Sequence, residues 1–361
     1  MRIGARSRQR SRMVTVSSDT MFLPYILLHG AAAILGNLAT PTAAAFDANG
    51  TQNLLVYFSQ SSGRNASLVD LCGNAAVDVV ILGFVRSFTD TAGYPTVDFG
   101  PWVCPDTRAA NATVAPGLAV CPELGRQVKK CQGLGKKVFL SIGGSTSNTS
   151  FDAGAEGARA AEDAAKSMWN LFGEGTGTPY LRPLGRDVVV DGFDIDHEVG
   201  SSNNYDTFVS ALRTNIDSGT KPMWISAAPS CDTTNRPISG SALALVDLVI
   251  IRFYNKASCS LGTPGFRKSL RTWYEDLVPS PLSPWPRVVL GGLSFDNGNL
   301  GYVSPEDFGD AIRIARQPDL LRWNEAKFGG VMLWDGPRGL AVKAQNGLDF
   351  LAYTKNVLVE G

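Results

Sequence analysis

The chain of 361 residues balances 33 Lys and Arg against 33 Asp and Glu, and is 44% hydrophobic and 18% charged. This composition suits a well-buried globular core, in one large α/β domain or two ordinary ones, and argues against extended disorder. Without residues 1–45, which hold five Arg and one Asp, 28 basic and 32 acidic residues remain, so nucleic acid and polyanionic surfaces are poor partners.

The amino terminus reads as a leader. Basic "MRIGARSRQRSR" precedes the apolar run "MFLPYILLHGAAAILGNLATPTAAAF", which ends with Ala43 and Ala45 at A-x-A spacing. Cleavage is expected near Ala45; the basic region is long for a signal peptide, which makes Met21 an alternative start. A membrane anchor is the competing reading, against which Gly30, Gly36 and Pro41 interrupt the run. No later stretch is apolar enough to span a bilayer.

Beyond the leader, short aliphatic runs recur at 53–58, 78–85, 137–142, 187–195, 223–229, 247–254, 287–293 and 329–334. Helix-like segments at 153–173, 205–216 and 305–323 lie between them. Eight strands with helical or looped returns describe a single (β/α)8 TIM barrel over 46–361 better than an open sheet. In such a barrel chemistry gathers at the carboxyl ends of the strands, where "SIGGS", "DIDHE", "AAPSC", "FYNK" and "LWDG" fall.

Six cysteines follow the leader, Cys72, Cys104, Cys121, Cys131, Cys231 and Cys259, with no C-x-x-C pair. In a secreted chain this predicts disulfides, with the pairing left open by the sequence. N-x-S/T sequons at Asn49, Asn65, Asn111 and Asn148 fit the secretory route. With His29 in the leader, His197 is the one remaining histidine. Multi-histidine metal sites and H-E-x-x-H helices are thereby excluded, and neither a G-x-S-x-G elbow nor a glycine-rich phosphate loop is present.

The chemistry therefore rests on carboxylates and tyrosines, and "VVVDGFDIDHE" (188–198) concentrates them. On a strand, Asp194, Asp196 and Glu198 at i, i+2, i+4 share one face and point into the barrel mouth, while Asp191 and His197 fall out of that register. Convergent carboxylates share protons, which suits a general acid. A divalent-metal loop, the D-x-D site of a metal-dependent nucleotide-sugar transferase and a solvated acidic loop are the rival readings.

Residues 191–198 match D-G-x-D-x-D-x-E in full, and the chain resembles the glycoside hydrolase family 18 chitinases of the class III, hevamine-like type. "KVFLSIGGS", "ISAAPSC", "IRFYN", "VVLGGLSF" with "GYVSPE", and "GGVMLW" extend the likeness over most of 53–340. The resemblance implies a retaining reaction in which the substrate's own 2-acetamido group replaces an enzyme nucleophile. Glu198 would protonate the glycosidic oxygen and later deprotonate water. Asp196 would hold the acetamido N–H, Asp194 would share a proton with Asp196, and Tyr254 would hydrogen-bond the acetamido carbonyl. Trp334 would floor the sugar subsite, with Tyr57, Gln60, Phe84, Gly143, Gly144, Arg252 and Asn255 also binding substrate; the two glycines equally suit a tight turn. No cofactor or metal is implied. The resemblance further implies the pairs Cys72–Cys131, Cys104–Cys121 and Cys231–Cys259, and cis peptides at Gly83–Phe84 and Trp334–Asp335.

Two departures from the family pattern stand out. Tyr57-Phe58-Ser59-Gln60-Ser61 replaces Y-W-G-Q-N, and Arg252 and Lys256 stand where a glutamine and a second asparagine are usual. Arg252 would aim a fixed charge at the acidic row and favour its ionised forms. The segment 290–329 is too short for the extra α+β insertion subdomain of larger members, which predicts an open cleft and endo-type cleavage. The expectation is a secreted, extracellular, monomeric endochitinase acting on chitin and N-acetylglucosamine oligosaccharides. Its alternative is a non-catalytic chitin-binding lectin or glycosidase inhibitor on the same barrel.

Overall fold

The computed structural model describes residues 45–59, 66–90, 92–104, 109–111, 113–277, 286–321 and 327–360. Residues 1–44 of the leader, Gln60 and Asn65 lie outside the described residues, as does the side chain of Asn111. Eight parallel strands form the barrel: β1 Asn53–Phe58, β2 Val79–Ser87, β3 Lys137–Gly143, β4 Gly192–Asp196, β5 Trp224–Ala227, β6 Leu248–Arg252, β7 Arg287–Leu293 and β8 Phe328–Trp334. Each pairs with its sequence neighbours, and β1 pairs with both β2 and β8, which closes the cylinder. A closed sheet has no free edge, and every strand is buried on both faces, which is why these runs are aliphatic throughout rather than alternating. The short pair Thr96–Val97 and Ala109–Asn111 with Ala115–Ala119 decorates the return from β2.

The helices α1 Leu68–Gly73, α2 Pro122–Gly133, α3 Gly154–Phe172, α4 Tyr205–Asp217, α5 Gly240–Leu243, α6 Phe266–Asp276, α7 Pro305–Ala315 and α8 Phe350–Glu360 wrap the barrel. Their apolar faces join the outer side chains of the strands in one continuous core, while Leu55, Tyr57, Ile81, Phe139, Ile250, Val289 and Met332 belong to a second cluster. α7 shows how local chemistry sets an end. Ser304 caps it by accepting from the Asp307 N–H at 3.1 Å, and Pro305 occupies the first turn, where its missing N–H costs nothing.

Two sequence expectations need correcting. The run predicted as a strand over 187–195 is a strand only over Gly192–Asp196. Side chains take the carbonyls that a ladder would have used: Arg182 donates to Val188 O at 2.5 Å, and Gln132 and Lys221 donate to Val189 O at 2.8 and 2.7 Å. The helix predicted over 305–323 ends at Ala315, and a separate turn, Pro318–Leu321, follows. Pro318 cannot donate to the preceding turn and its ring crowds it.

Three disulfides brace the returns. Cys72–Cys131 joins α1 to α2, Cys104–Cys121 closes a loop before α2, and Cys231–Cys259 ties the segments that follow β5 and β6. Such bridges contribute roughly 2–4 kcal/mol each by restricting the unfolded chain. Among the described residues between β7 and β8 there is only a loop, α7 and the Pro318–Leu321 turn, so no insertion subdomain overhangs the barrel mouth. No described helix is long and apolar enough to cross a membrane.

Candidate active site

The alternation along β4 puts Asp194 and Asp196 inside the barrel, with Glu198 two residues beyond its end. Asp194 is fully buried, and register explains its company: it pairs across the sheet with Ser141 on β3 and Ser226 on β5. The hydroxyls of Tyr57 and Ser141 donate to its Oδ2, both at 2.6 Å, and that of Ser226 donates to Oδ1 at 2.7 Å. Burial pushes its carboxyl above the usual range, while these three hydroxyls and Arg252 pull it back. Asp191, out of register, serves the bottom of the barrel, accepting from Val138 N–H at 2.9 Å and lying 3.1 Å from Lys221 Nζ.

Asp196 is buried as well, and its Oδ1 accepts no hydrogen bond from the described residues. Burial, with Glu198 and Asp194 adding like charge, pushes its carboxyl well up against the opposing pull of Arg252. The Arg252 Nη1 lies 3.3 Å from Asp196 Oδ1 and 2.5 Å from Glu198 Oε2. Burial works against the guanidinium charge, but Asp196, Glu198 and Tyr254 outweigh it and hold Arg252 firmly protonated. Tyr254, two residues past β6, is buried; its phenol is raised by burial and the three carboxylates, against Arg252, so it remains a neutral donor.

Nine of the twelve residues singled out from the sequence line one cavity of about 220 Å³: Phe84, Gly143, Gly144, Asp196, Glu198, Arg252, Tyr254, Asn255 and Trp334. Asp194 and Tyr57 lie beneath it, while Gln60 is outside the described residues. Its floor is aromatic. Trp334 lies 5.1 Å from the Tyr57 ring and stacks on Phe84 at 6.0 Å between centroids. The peptides Gly83–Phe84 and Trp334–Asp335 are cis. Gly143 is required by space, because a Cβ there would fall 2.1 Å from the Asp196 carbonyl oxygen at φ +123°. Asn255, also at positive φ (64°), is exposed and holds the rim through its N–H to Leu300 O at 2.8 Å.

The remaining histidine stands apart. His197 is buried, with Nδ1 3.0 Å from Thr149 Oγ1 and Nε2 3.1 Å from Ser201 O, its ring packed on Tyr205. Sequence reasoning missed Ser141 and Ser226, whose strand runs were identified but whose level in the barrel only pairing reveals. It also missed Arg86, Asn297 and Asn299 on the cavity wall. Arg86 leans on Asp98 at 3.1 Å and donates to Thr146 O at 2.9 Å. Among the described residues no group of three or more His, Cys, Asp or Glu side chains is arranged to hold a metal ion.

The family model for Glycosyl hydrolases family 18 matches residues 53–289. Endochitinase 3 of Metarhizium robertsii is 30% identical over 315 residues, covering 86% of this chain and 94% of that protein. The endochitinase of Saccharomyces cerevisiae is 32% identical over 319 residues, 87% of this chain and 51% of its own length. Of solved structures, the ICChI chitinase from Ipomoea carnea superposes with a TM-score of 0.66 at 25% identity, over 84% of this chain and 99% of that one. The xylanase and α-amylase inhibitor protein XAIP-I superposes with a TM-score of 0.67 at 25% identity, over 85% and 99%.

Proposed function

The chain belongs to glycosyl hydrolases family 18 and is a glycoside hydrolase of the chitinase type; on that premise we propose that it cleaves β-1,4-linked N-acetylglucosamine polymers internally, by a retaining, substrate-assisted reaction. The observation that carries the reading is Asp196 Oδ1, a buried acceptor that makes no hydrogen bond among the described residues and faces Arg252 Nη1 at 3.3 Å, on the wall of the cavity that Glu198, Tyr254 and Trp334 share. A 2-acetamido N–H is a complementary donor, able to supply the hydrogen bond that the Arg252 ion pair at 3.3 Å does not make.

In this reading a sugar lies on Trp334 with its acetamido group between Asp196 and the neutral Tyr254 phenol, which donates to the acetamido carbonyl. Glu198 gives its proton to the glycosidic oxygen as that carbonyl oxygen attacks the anomeric carbon, and the bond to the leaving sugar breaks. Holding the acetamido group in line replaces an encounter in solution, which is worth several kcal/mol. Asp196 balances the positive charge of the oxazolinium intermediate. Glu198 then takes a proton from water as it attacks the same carbon, so configuration is retained. The unroofed mouth suits long chains entering at any point. Secretion is part of the proposal: the leader, the three disulfides and the exposed sequons at Asn49 and Asn148 support it.

A second reading, sugar binding or glycosidase inhibition without cleavage, draws on the Arg252 contact with Glu198 and on the likeness to XAIP-I. The test is product analysis of N-acetylglucosamine hexamer with the mature chain in EDTA, beside Glu198→Gln. Early β-anomers from the parent, with turnover lowered about 100-fold or more in the variant, are expected. Tight binding by the parent with no products would favour the second reading.

A further inference from the structure

Arg252 touches the two oxygens on which that chemistry depends. Its backbone is fixed: as the last residue of β6 it donates to Pro229 O at 2.9 Å and accepts from Cys231 N–H at 3.2 Å, beside the Cys231–Cys259 bridge. The side chain is buried, and its one Nη1 spans Asp196 Oδ1 and Glu198 Oε2. An Asp196 oxygen needed for the acetamido N–H and a Glu198 oxygen needed at the glycosidic bond therefore both face a guanidinium.

We propose that Arg252 is a latch on the acidic row: it bridges Asp196 and Glu198 in the free protein, and an incoming sugar must turn it aside before Glu198 can reach the glycosidic oxygen. Arg252 is on this view a positioning residue, and the inference rests on the chitinase reading for its kinetic consequence. The groups around the cluster are Asp194 and Asp196 on β4, Glu198 beyond it, Tyr57 on β1, Tyr254 after β6 and Tyr205 on α4, with Arg86 on β2 already leaning on Asp98. The tyrosines are all held neutral by burial, so Arg252 is the balancing cation, in contact with Asp196 and Glu198 and acting at longer range on Asp194. Replacing it by a neutral side chain leaves like charges in a buried site, and the cluster must take up a proton. A protonated carboxyl is what the acid step requires, so the latch limits activity at neutral pH and releases it as pH falls.

The experiment pairs 13C NMR titration of the Asp196 and Glu198 carboxyl carbons with pH profiles of kcat/KM on N-acetylglucosamine hexamer, in the parent and Arg252→Gln. Expected are carboxyl midpoints about one to three pH units higher in the variant, an alkaline limb displaced the same way, and a lower KM. Superimposed midpoints and limbs, or activity reduced at every pH with the limb unmoved, would overturn the latch. Displaced midpoints with no hydrolysis by either protein would keep the latch and remove the chitinase reading; hydrolysis by both with unmoved midpoints would do the reverse. If Arg252→Gln does not fold, the parent carries the test. Saturation with N-acetylglucosamine trimer should displace the guanidinium and raise the midpoint of any carboxyl the trimer leaves ungripped, and an unchanged titration in its presence overturns the proposal.

Discussion

Removing one oxygen, in Tyr57→Phe, tests whether the polar layer beneath the cleft is what supports Asp194. The ring keeps its place against Trp334 and Phe84, so packing is conserved and only the 2.6 Å bond to Asp194 Oδ2 is lost. A hydrogen bond to a charged, fully buried partner is worth about 1.5–3 kcal/mol, and one to a neutral partner about 0.5–1.5 kcal/mol. The difference gives the effect a pH signature. Burial raises the Asp194 carboxyl in the folded state above its unfolded value, so its contribution to stability is complete below the unfolded pKa and fades as pH rises through the folded one. Loss of the Tyr57 hydroxyl raises the folded value further, so the penalty should be larger above that range than below it. Thermal unfolding followed by circular dichroism from pH 3 to about pH 8 measures this. A melting temperature lowered by several degrees near neutrality, with the gap to the parent narrowing in acid, is expected. A variant that melts with the parent at all pH values, or a gap that widens in acid, would refute the argument.

Gly143→Ala should cost at least several kcal/mol, since its Cβ would sit 2.1 Å from the Asp196 carbonyl at positive φ; loss of soluble expression is expected, with Gly73→Ala, which meets nothing within 4 Å, as the unaffected control. Replacing both Cys231 and Cys259 by Ser should lower stability by roughly 2–4 kcal/mol in denaturant titrations and raise KM more than it lowers kcat, because the bridge fixes the segment against which Arg252 and Tyr254 are placed. Tyr254→Phe should retain the fold and lower kcat/KM by about 10-fold or more on hexamer, the loss of one hydrogen bond at the acetamido carbonyl; unchanged kinetics would remove Tyr254 from the reaction.

The eight aliphatic runs were enough to predict the barrel, since parallel strands buried on both faces must be apolar and short. The i, i+2, i+4 spacing placed Asp194, Asp196 and Glu198 on one side because side-chain direction alternates along any strand, whatever surrounds it. Strand β4 nevertheless begins five residues later than its hydrophobicity suggests: Arg182 from the preceding turn, with Gln132 and Lys221 from distant parts of the chain, claim the carbonyls of Val188 and Val189. The same limit hid Ser141 and Ser226, two ordinary serines in aliphatic strands until register sets them level with Asp194. The presence of Arg252 near the acidic row was legible as a charge in an unusual place. That its Nη1 lies within ion-pair reach of both Asp196 and Glu198 was decided by the closing of the sheet. Local patterning is a property of neighbours in the chain and can be read from it, whereas the partners of a buried charge are set by strands that meet only when the barrel closes.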